Sequence, residues 1–208
     1  MEFTKCIETR ASVRQFATDP VPAEDLKEMV RLAGLAPSVN NWQPWKFIAI
    51  TNHDLVKTMA DAVHNKVQNI IPAPDATAEQ ARAKVEWFST FFVDAPAVIV
   101  VLKSPYQAVV DEAIAGSNLS HDEINAMRGH PDLQSIGAAI EHLLLAANDK
   151  GYGACWLSGP QVARRELEAI LGVSEPWTIV AMVAIGKPAG QVHPREKRPV
   201  DEIFELRA

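Results

Sequence analysis

Cysteine is scarce in this sequence, with only Cys6 and Cys155 among 208 residues. Small secreted domains that rely on disulfides need more, and a chain of this length buries roughly 70% of its unfolded surface without such links. Residues 1–5 also lack the apolar segment of a signal peptide. We therefore expect a cytoplasmic protein with two free, packed thiols. For Cys155 we prefer packing to a role as nucleophile, because no activating base is visible beside it.

Long apolar runs and an excess of positive charge are also missing. No stretch approaches about 18 uninterrupted apolar residues, so we expect no transmembrane helix. The chain carries 20 Lys and Arg against 26 Asp and Glu, a formal net charge of −6. Because nucleic-acid binding needs a basic surface, this balance argues against it. It does not exclude a small phosphorylated ligand held by a few local cations.

Familiar catalytic motifs are absent as well. The sequence contains no GxxxxGK[ST] loop and no GxSxG elbow, so neither a P-loop nor a hydrolase nucleophile is indicated. Residues 151–153 resemble part of a dinucleotide loop, but Trp156 occupies the third glycine position and the segment follows a helix instead of a strand. Residues 121–123 and His130 match no common zinc spacing, so we interpret them as a solvated loop and expect no metal.

Apolar periodicity predicts an α+β fold with about four or five strands in one central sheet covered by helices. The stretches 70–80 and 104–132 are polar and rich in turn residues, and we expect them to be loops. Helices are predicted at residues 2–10, from Pro22 to Pro37, from Asn52 onward, and at 81–94, 133–149 and 162–171; strands are predicted at 45–50, 95–103, 153–159 and 177–186.

Two short basic clusters stand out in this acidic chain. The first combines two guanidinium groups with a hydroxyl within five residues, and the second lies near the C-terminus. Such groups match the oxygens of a phosphate, although each cluster taken alone is more simply explained as solvated surface charge. The clusters are Arg10, Ser12 and Arg14, and Arg195, Lys197 and Arg198.

Three segments together resemble the nitroreductase family of FMN flavoproteins. Residues 10–16, RASVRQF, match its basic-x-Ser-x-basic signature, and residues 36–45, APSVNNWQPW, match its longer Pro-Ser-x-x-Asn signature. Residues 151–157, GYGACWL, are similar to the stretch that follows the family's long central helix. The similarity extends from about residue 3 to residue 203. It implies a nitroreductase-like fold with a central, mostly antiparallel sheet flanked by helices.

The resemblance also implies a division of the chain. Residues 1–208 would form a single nitroreductase-like domain, with 65–130 as a variable region and 187–208 as an extended C-terminal tail. We further expect the segment 104–130 to form part of the substrate entrance and to be more mobile than the sheet.

The family's FMN contacts transfer to this sequence residue by residue. Arg14 would stabilise negative charge on the reduced flavin, and Ala11 would lack the side-chain contact that many members make there. Ser158 stands where some members have Glu. The implied contacts are Arg10, Ala11, Ser12 and Arg14 of the first signature; Pro37, Ser38, Val39 and Asn41 from the partner subunit's loop; Gln134 near the ribityl chain or ring; the backbone of Trp156, Leu157, Ser158 and Gly159 beside the ring; and Arg195, Lys197 or Arg198 at the phosphate.

The implied activity is an oxidoreductase that works by a ping-pong, two-electron mechanism in a homodimer with FMN at the interface. NAD(P)H would reduce the flavin, and a nitroaromatic or quinone-like acceptor would reoxidise it, with no catalytic side chain required. Fold alone does not settle function. The alternatives are a reductive dehalogenase, a flavin-fragmenting enzyme, a non-enzymatic flavin-binding or redox-sensing protein, and an acidic scaffold without cofactor.

Overall fold

A computed structural model describes residues 2–107, 109–114, 116 and 118–207. Within these residues a four-stranded sheet lies at the centre, with strand order β1-β2-β4-β3 and antiparallel pairing throughout. The predicted α+β class with an antiparallel central sheet is confirmed. The strands are β1 (Trp45–Ile50), β2 (Ala97–Lys103), β3 (Gly153–Leu157) and β4 (Thr178–Gly186).

Helices cover both faces of the sheet. The longest is α7, which lies against α2 and β3, while α3 lies against α4. The helices are α1 (Phe3–Thr9), α2 (Ala23–Ala33), α3 (His53–Ile70), α4 (Ala76–Thr90), α5 (Val109–Ala113), α6 (His121–Met127), α7 (Pro131–Asp149) and α8 (Arg164–Leu171), with 3-10 turns at Val39–Asn41, Phe91–Asp94, Gly159–Ala163 and Val200–Glu202.

The sequence of β2 explains why two helical layers form. Its side chains alternate between the two faces of the sheet, and six of its seven residues are buried. Val98 and Val100 join the apolar cluster beneath α3 and α8, whereas Ile99 and Val101 join the cluster beneath α2 and α7. A strand that is apolar on both faces requires cover on both, and this places β2 and β4 in the interior of the sheet.

Local signals fix several helix ends where the sequence predicts them. The Asn52 side chain accepts a hydrogen bond from the Leu55 N–H at 3.1 Å and begins α3. Gly172 ends α8 with φ 63°, in the left-handed region that glycine adopts without strain. Pro22 is the residue before α2, one position earlier than expected for it.

The two predicted loops are partly wrong. The first ends at Asp75, whose carboxylate accepts from the Ala78 N–H at 2.8 Å and caps α4. The second contains α5 and α6, and α6 begins with a reciprocal Ser120–Glu123 capping box. Both helices are short and polar, so hydrophobic periodicity gives no signal for them. The proposed division into a variable region and a tail remains a prediction.

Candidate functional site

The first basic segment is held against the edge strand β3. Ser12 forms a parallel bridge with Ala154, and the Val13 N–H donates to the Ala154 carbonyl oxygen at 3.0 Å. Gly153 makes this approach feasible, because a Cβ atom there would lie 2.5–2.8 Å from three atoms of the Val13 side chain. With Val13 buried, the alternate side chains of Ser12 and Arg14 are directed away from that packing contact.

The two basic clusters meet in one cavity of about 220 Å³. Arg10 also forms an ion pair with Glu141 of α7, with Nε and Oε1 3.2 Å apart. Arg198 is exposed and does not line this cavity. Segments from opposite ends of the chain thus supply several donors to one small space, which suits a phosphate. The lining residues are Arg10, Ala11, Ser12, Arg14, His193, Arg195 and Lys197.

A second cavity, of about 400 Å³, shares Arg14 with the first and extends along the end of β3. Gly159 brings its wall close to α4, since a Cβ atom there would lie 2.6 Å from the Ser89 hydroxyl oxygen. The contribution of α4 was not predicted from the sequence, although the neighbouring aromatic residues Trp87 and Phe88 are a signal for it. The lining comprises the candidate residues Trp156, Leu157, Ser158 and Gly159 together with Arg14, Lys84, Val85, Phe88, Ser89, Phe91 and Cys155.

Arg14 is the residue that connects these cavities. Its Nε is buried without a hydrogen-bond partner among the described residues, and its guanidinium carbon lies 5.7 Å from the Phe88 ring centroid. A buried cationic donor without an acceptor is costly. The unsatisfied donor and the neighbouring phosphate-type cavity fit an anionic, planar cofactor such as FMN.

Cys155 packs beneath this segment. Burial raises the pKa of its thiol, while the nearby charges of Arg14 and Arg10 and a hydrogen bond with Ser12 act in the opposite direction. The raised pKa leaves the thiol protonated at neutral pH, which suits packing better than nucleophilic chemistry. Cys6 and Cys155 are both free and buried, as predicted.

The second signature forms a strained, polar loop. Asn40, Asn41 and Gln43 have φ between 50° and 53°, a region that asparagine tolerates better than most residues. The Ser38 hydroxyl accepts from the Gln43 N–H at 3.0 Å. The Val39 N–H donates to the Ser135 hydroxyl of α7, also at 3.0 Å. The polar residues therefore stabilise the loop conformation itself.

The two tryptophans of this loop differ in their environment. Trp45 packs partly buried against the core cluster of α2 and α7. Trp42 remains 45% exposed and donates its indole N–H to the Pro105 carbonyl oxygen at 3.2 Å. The loop is thus joined to the start of the 104–130 segment. None of Pro37, Ser38, Val39 and Asn41 lines the two cavities that contain Arg14, Arg10 and the end of β3.

The Gln134 side chain is hydrogen-bonded to the turn that precedes α7. Its side-chain amide donates to the Gly129 carbonyl oxygen at 2.7 Å, and the residue is exposed. It does not line either cavity that contains Arg14 and the end of β3. A contact from Gln134 to a cofactor in those cavities would need either rearrangement or a second chain.

A buried polar network anchors the 104–130 segment, for which its polarity alone predicts only a loop. The Tyr106 hydroxyl donates to Asn125 at 3.0 Å, and the Asn125 amide donates to Asp132 at 2.9 Å. Lys103 at the end of β2 completes the network with a 2.5 Å ion pair to Asp132. Burial raises the pKa of Tyr106, so its hydroxyl remains a hydrogen-bond donor. Both ends of the segment are therefore tied to β2 and α7.

Among the described residues, no group of three or more His, Cys, Asp or Glu side chains is arranged to hold a metal ion. In the same part of the chain, no helix combines the length and apolarity needed to cross a bilayer.

Comparison with known proteins agrees with the geometry. The 5,6-dimethylbenzimidazole synthase of Rhodospirillum rubrum is 29% identical, covering 95% of this chain and 84% of that protein. A BluB-like flavoprotein structure from Clostridium difficile 630 is 32% identical, covers both chains fully and superposes with a TM-score of 0.90. A nitroreductase from Bacteroides fragilis, solved with bound FMN, shares the fold with a TM-score of 0.71 at 21% identity, and covers all of both chains.

The family assignment rests on a match over most of the chain. The model of the "Nitroreductase family" covers residues 7–187. This range includes the signature at 10–16, the strained loop at 37–45 and the end of β3. Oxidoreductase and flavoprotein character follow from the match. The chain belongs to the nitroreductase family.

Proposed function

We propose that this protein is an FMN-dependent oxidoreductase that uses NAD(P)H to reduce nitroaromatic or quinone-like acceptors. The observation that carries the proposal is the meeting of Arg10, Ser12 and Arg14 with Arg195 and Lys197 around one small cavity. Arg14 also lines the second cavity, at the end of β3. An anionic head group and an attached planar ring are the ligand features that this pair of spaces accommodates.

The chain's own residues would divide the work by their chemistry. Arg10, Ser12, Arg195 and Lys197 would hold the phosphate through charge-assisted hydrogen bonds. Arg14 would place a fixed positive charge where the reduced ring gains negative charge. FMN bound there would supply the redox chemistry, accepting two electrons from NAD(P)H and passing them to the acceptor in ping-pong order.

A homodimer completes this proposal. Pro37, Ser38, Val39 and Asn41 form an exposed or half-buried loop that does not line the cavities of its own chain. In a dimer the partner subunit's copy of the loop would reach the cofactor, with the 104–130 segment beside it at the substrate entrance. Exposed apolar side chains on α1, Phe3 at 72% and Ile7 at 49%, provide surface for such an interface.

The test begins with the purified protein, which should be yellow and hold about one FMN per chain. Anaerobic addition of NADH or NADPH should bleach the flavin within seconds, and a nitroaromatic or quinone should restore the colour. Failure to bind FMN after reconstitution would refute the proposal. Bound flavin that neither nucleotide reduces would favour a non-enzymatic flavoprotein, and absorbance that no oxidant restores would favour flavin fragmentation.

A further inference from the structure

A third cavity, of about 530 Å³, lies beside the predicted redox site but does not include Arg14. It is formed by the 3-10 turn that follows Ser158, by the start of α8, and by parts of α3, α7 and β4. Nothing in the family signatures at 10–16 and 36–45 contributes to it. Gln161 follows Ser158 and Gly159 closely in the chain, and those two residues line the cavity at the end of β3 that contains Arg14.

One polar side chain in this cavity lacks partners. Both Nε2 and Oε1 of Gln161 are buried, and neither has a hydrogen bond within the described residues. The backbone of Gln161 is satisfied, because its N–H donates to Ser158 and its carbonyl accepts from Arg164. Buried polar groups of native proteins are nearly always paired. A ligand with an adjacent donor and acceptor would satisfy both atoms of this amide.

The surroundings of Gln161 are positively charged in an otherwise acidic protein. Lys66, Arg164 and Arg165 line the cavity against the single carboxylate Glu166. Lys66 lies 2.8 Å from Glu166, and this hydrogen bond lowers the pKa of Glu166, so the pair is charged. Arg164 in turn lies 3.9 Å from Glu168 of the same helix, so Arg165 remains as the excess positive charge for an anion.

The floor of the cavity is apolar. Leu133 and Val162, which are 44% and 38% exposed, line it together with Ile179 and Val180 of β4. Exposed aliphatic side chains next to an unpaired amide and two guanidinium groups combine three features: a surface for a planar ring, a donor–acceptor pair for its edge, and charge for a phosphate. A glutamine amide pairs with the two-atom edge of adenine in this way.

We propose that this cavity binds the adenosine phosphate half of the pyridine nucleotide reductant. Gln161 pairs with the adenine edge, and Arg165 holds phosphate oxygens. The inference rests on the proposed function for the identity of the ligand, but binding of the adenine nucleotide can be measured without any reduction of flavin.

The experiment titrates the purified protein, as isolated, with adenosine 2′,5′-bisphosphate, 5′-AMP and inorganic phosphate by calorimetry. Gln161→Met keeps the side-chain length and removes both polar atoms. We expect it to weaken nucleotide binding about tenfold, while leaving the melting temperature equal or higher because an unpaired buried amide has been removed. Gln80→Met, an exposed position on α4, is the matched control and should change neither quantity.

The charge is tested separately. Arg165→Gln should weaken binding of both nucleotides about fivefold at low salt and less at high salt, whereas Lys57→Gln, an exposed cation on α3, should not. A larger effect of Arg165→Gln on the 2′,5′-bisphosphate than on 5′-AMP would assign the arginine to the 2′-phosphate of NADPH, which supports the proposal.

Two outcomes overturn the inference. One is unchanged nucleotide affinity in Gln161→Met, and the other is inorganic phosphate binding as tightly as the nucleotides. These results are distinct from a failure of the proposed function. If NADPH bleaches the flavin of Gln161→Met with an unchanged KM, the function stands and the adenine site falls. If the nucleotides bind but no flavin is reduced, the site stands and the reductase proposal falls.

Discussion

The two family signatures of this chain differ in how far a single chain completes them. Residues 10–14 pack against β3, meet the C-terminal basic cluster and line two cavities that share Arg14. Residues 37–43 hold their own strained conformation through Ser38 and are tied to α7 and to Pro105, yet line neither cavity. The first signature is a binding surface that is already built. The second is a loop with a fixed conformation that contacts neither cavity of its own chain. In a dimer, the cavities of the second chain would be within its reach.

The largest expected effect comes from removing the charge that connects the cavities. Arg14→Ala should raise the dissociation constant of FMN about a hundredfold, because it removes charge-assisted hydrogen bonds from a desolvated site. Quenching of FMN fluorescence on titration measures this. Arg82→Ala on α4, whose side chain lines neither cavity with Arg14, should bind FMN like the unchanged protein. Equal FMN affinity of the two variants would show that Arg14 of the first signature does not contribute to FMN binding.

Gly153→Ala tests whether the packing of residues 12–14 on β3 builds the site. The new Cβ would lie 2.5–2.8 Å from Val13, so we expect a loss of about 2 kcal/mol in the free energy of unfolding and weaker FMN binding. The double variant with Val13→Gly should recover FMN affinity, because all three clashing atoms, the Val13 Cβ included, are then absent. Gly34→Ala, where a Cβ would meet only ordinary contacts, is the control. Denaturant unfolding followed by FMN titration gives both quantities.

Asp132 tests the start of the helix that holds the second signature, since it lies in the first turn of α7, three residues before the Ser135 that binds Val39. Burial acts to raise the pKa of Asp132, but hydrogen bonds from Lys103 and Asn125 outweigh it and hold that pKa below its ordinary value of 3.8. The ionised carboxylate therefore stabilises the fold above that ordinary value, and the contribution is lost as the pH falls through the lowered pKa.

Asp132→Asn should accordingly lower the free energy of unfolding at pH 7 by about 2 kcal/mol, because it leaves Lys103 without its buried partner. The difference from the unchanged protein should shrink as the pH falls below 3.8, the ordinary pKa of this carboxyl. Urea unfolding at several pH values measures it, with the exposed Asp61→Asn as control. A difference that stays constant down to low pH would show that the ion pair does not stabilise the fold.

Asn41→Ala should have the smallest effect, a loss of about tenfold in FMN affinity. It nevertheless gives the sharpest test of whether the two signatures act from different chains. If each site combines one chain's Arg14 with the partner's Asn41, a heterodimer of an Arg14→Ala chain and an Asn41→Ala chain has one doubly altered site and one intact site. If each chain completes its own site, neither is intact. Two affinity tags isolate the heterodimer, and FMN titration decides: a component with unaltered affinity in half of the sites supports sharing, and its absence contradicts it.

Much of the fold follows from local physical chemistry and was predictable. The double-sided apolar pattern of β2 requires a strand buried in the interior of a sheet, the Asn52 cap starts α3, and Gly172 ends α8. The short polar helices α5 and α6 were not predictable, because their apolar stripe is too weak to separate them from loops. α6 is anchored by hydrogen bonds of its Asn125 to Tyr106 and Asp132, which lie before and after the helix in the chain.

The sequence by itself determined the family, because its signatures are short, continuous segments that can be recognised from residue types alone. One combines basic groups with a hydroxyl, and the other places asparagines in a tight connection after Pro37. Only the tertiary structure decided that Arg195 and Lys197, but not Arg198, face the cavity of Arg10 and Arg14, and that the amide of Gln161 is buried without a partner. The reason is physical. A local motif specifies the backbone conformation and chemistry of its own few residues, whereas convergence and burial depend on how the distant β3, β4 and α7 pack against one another.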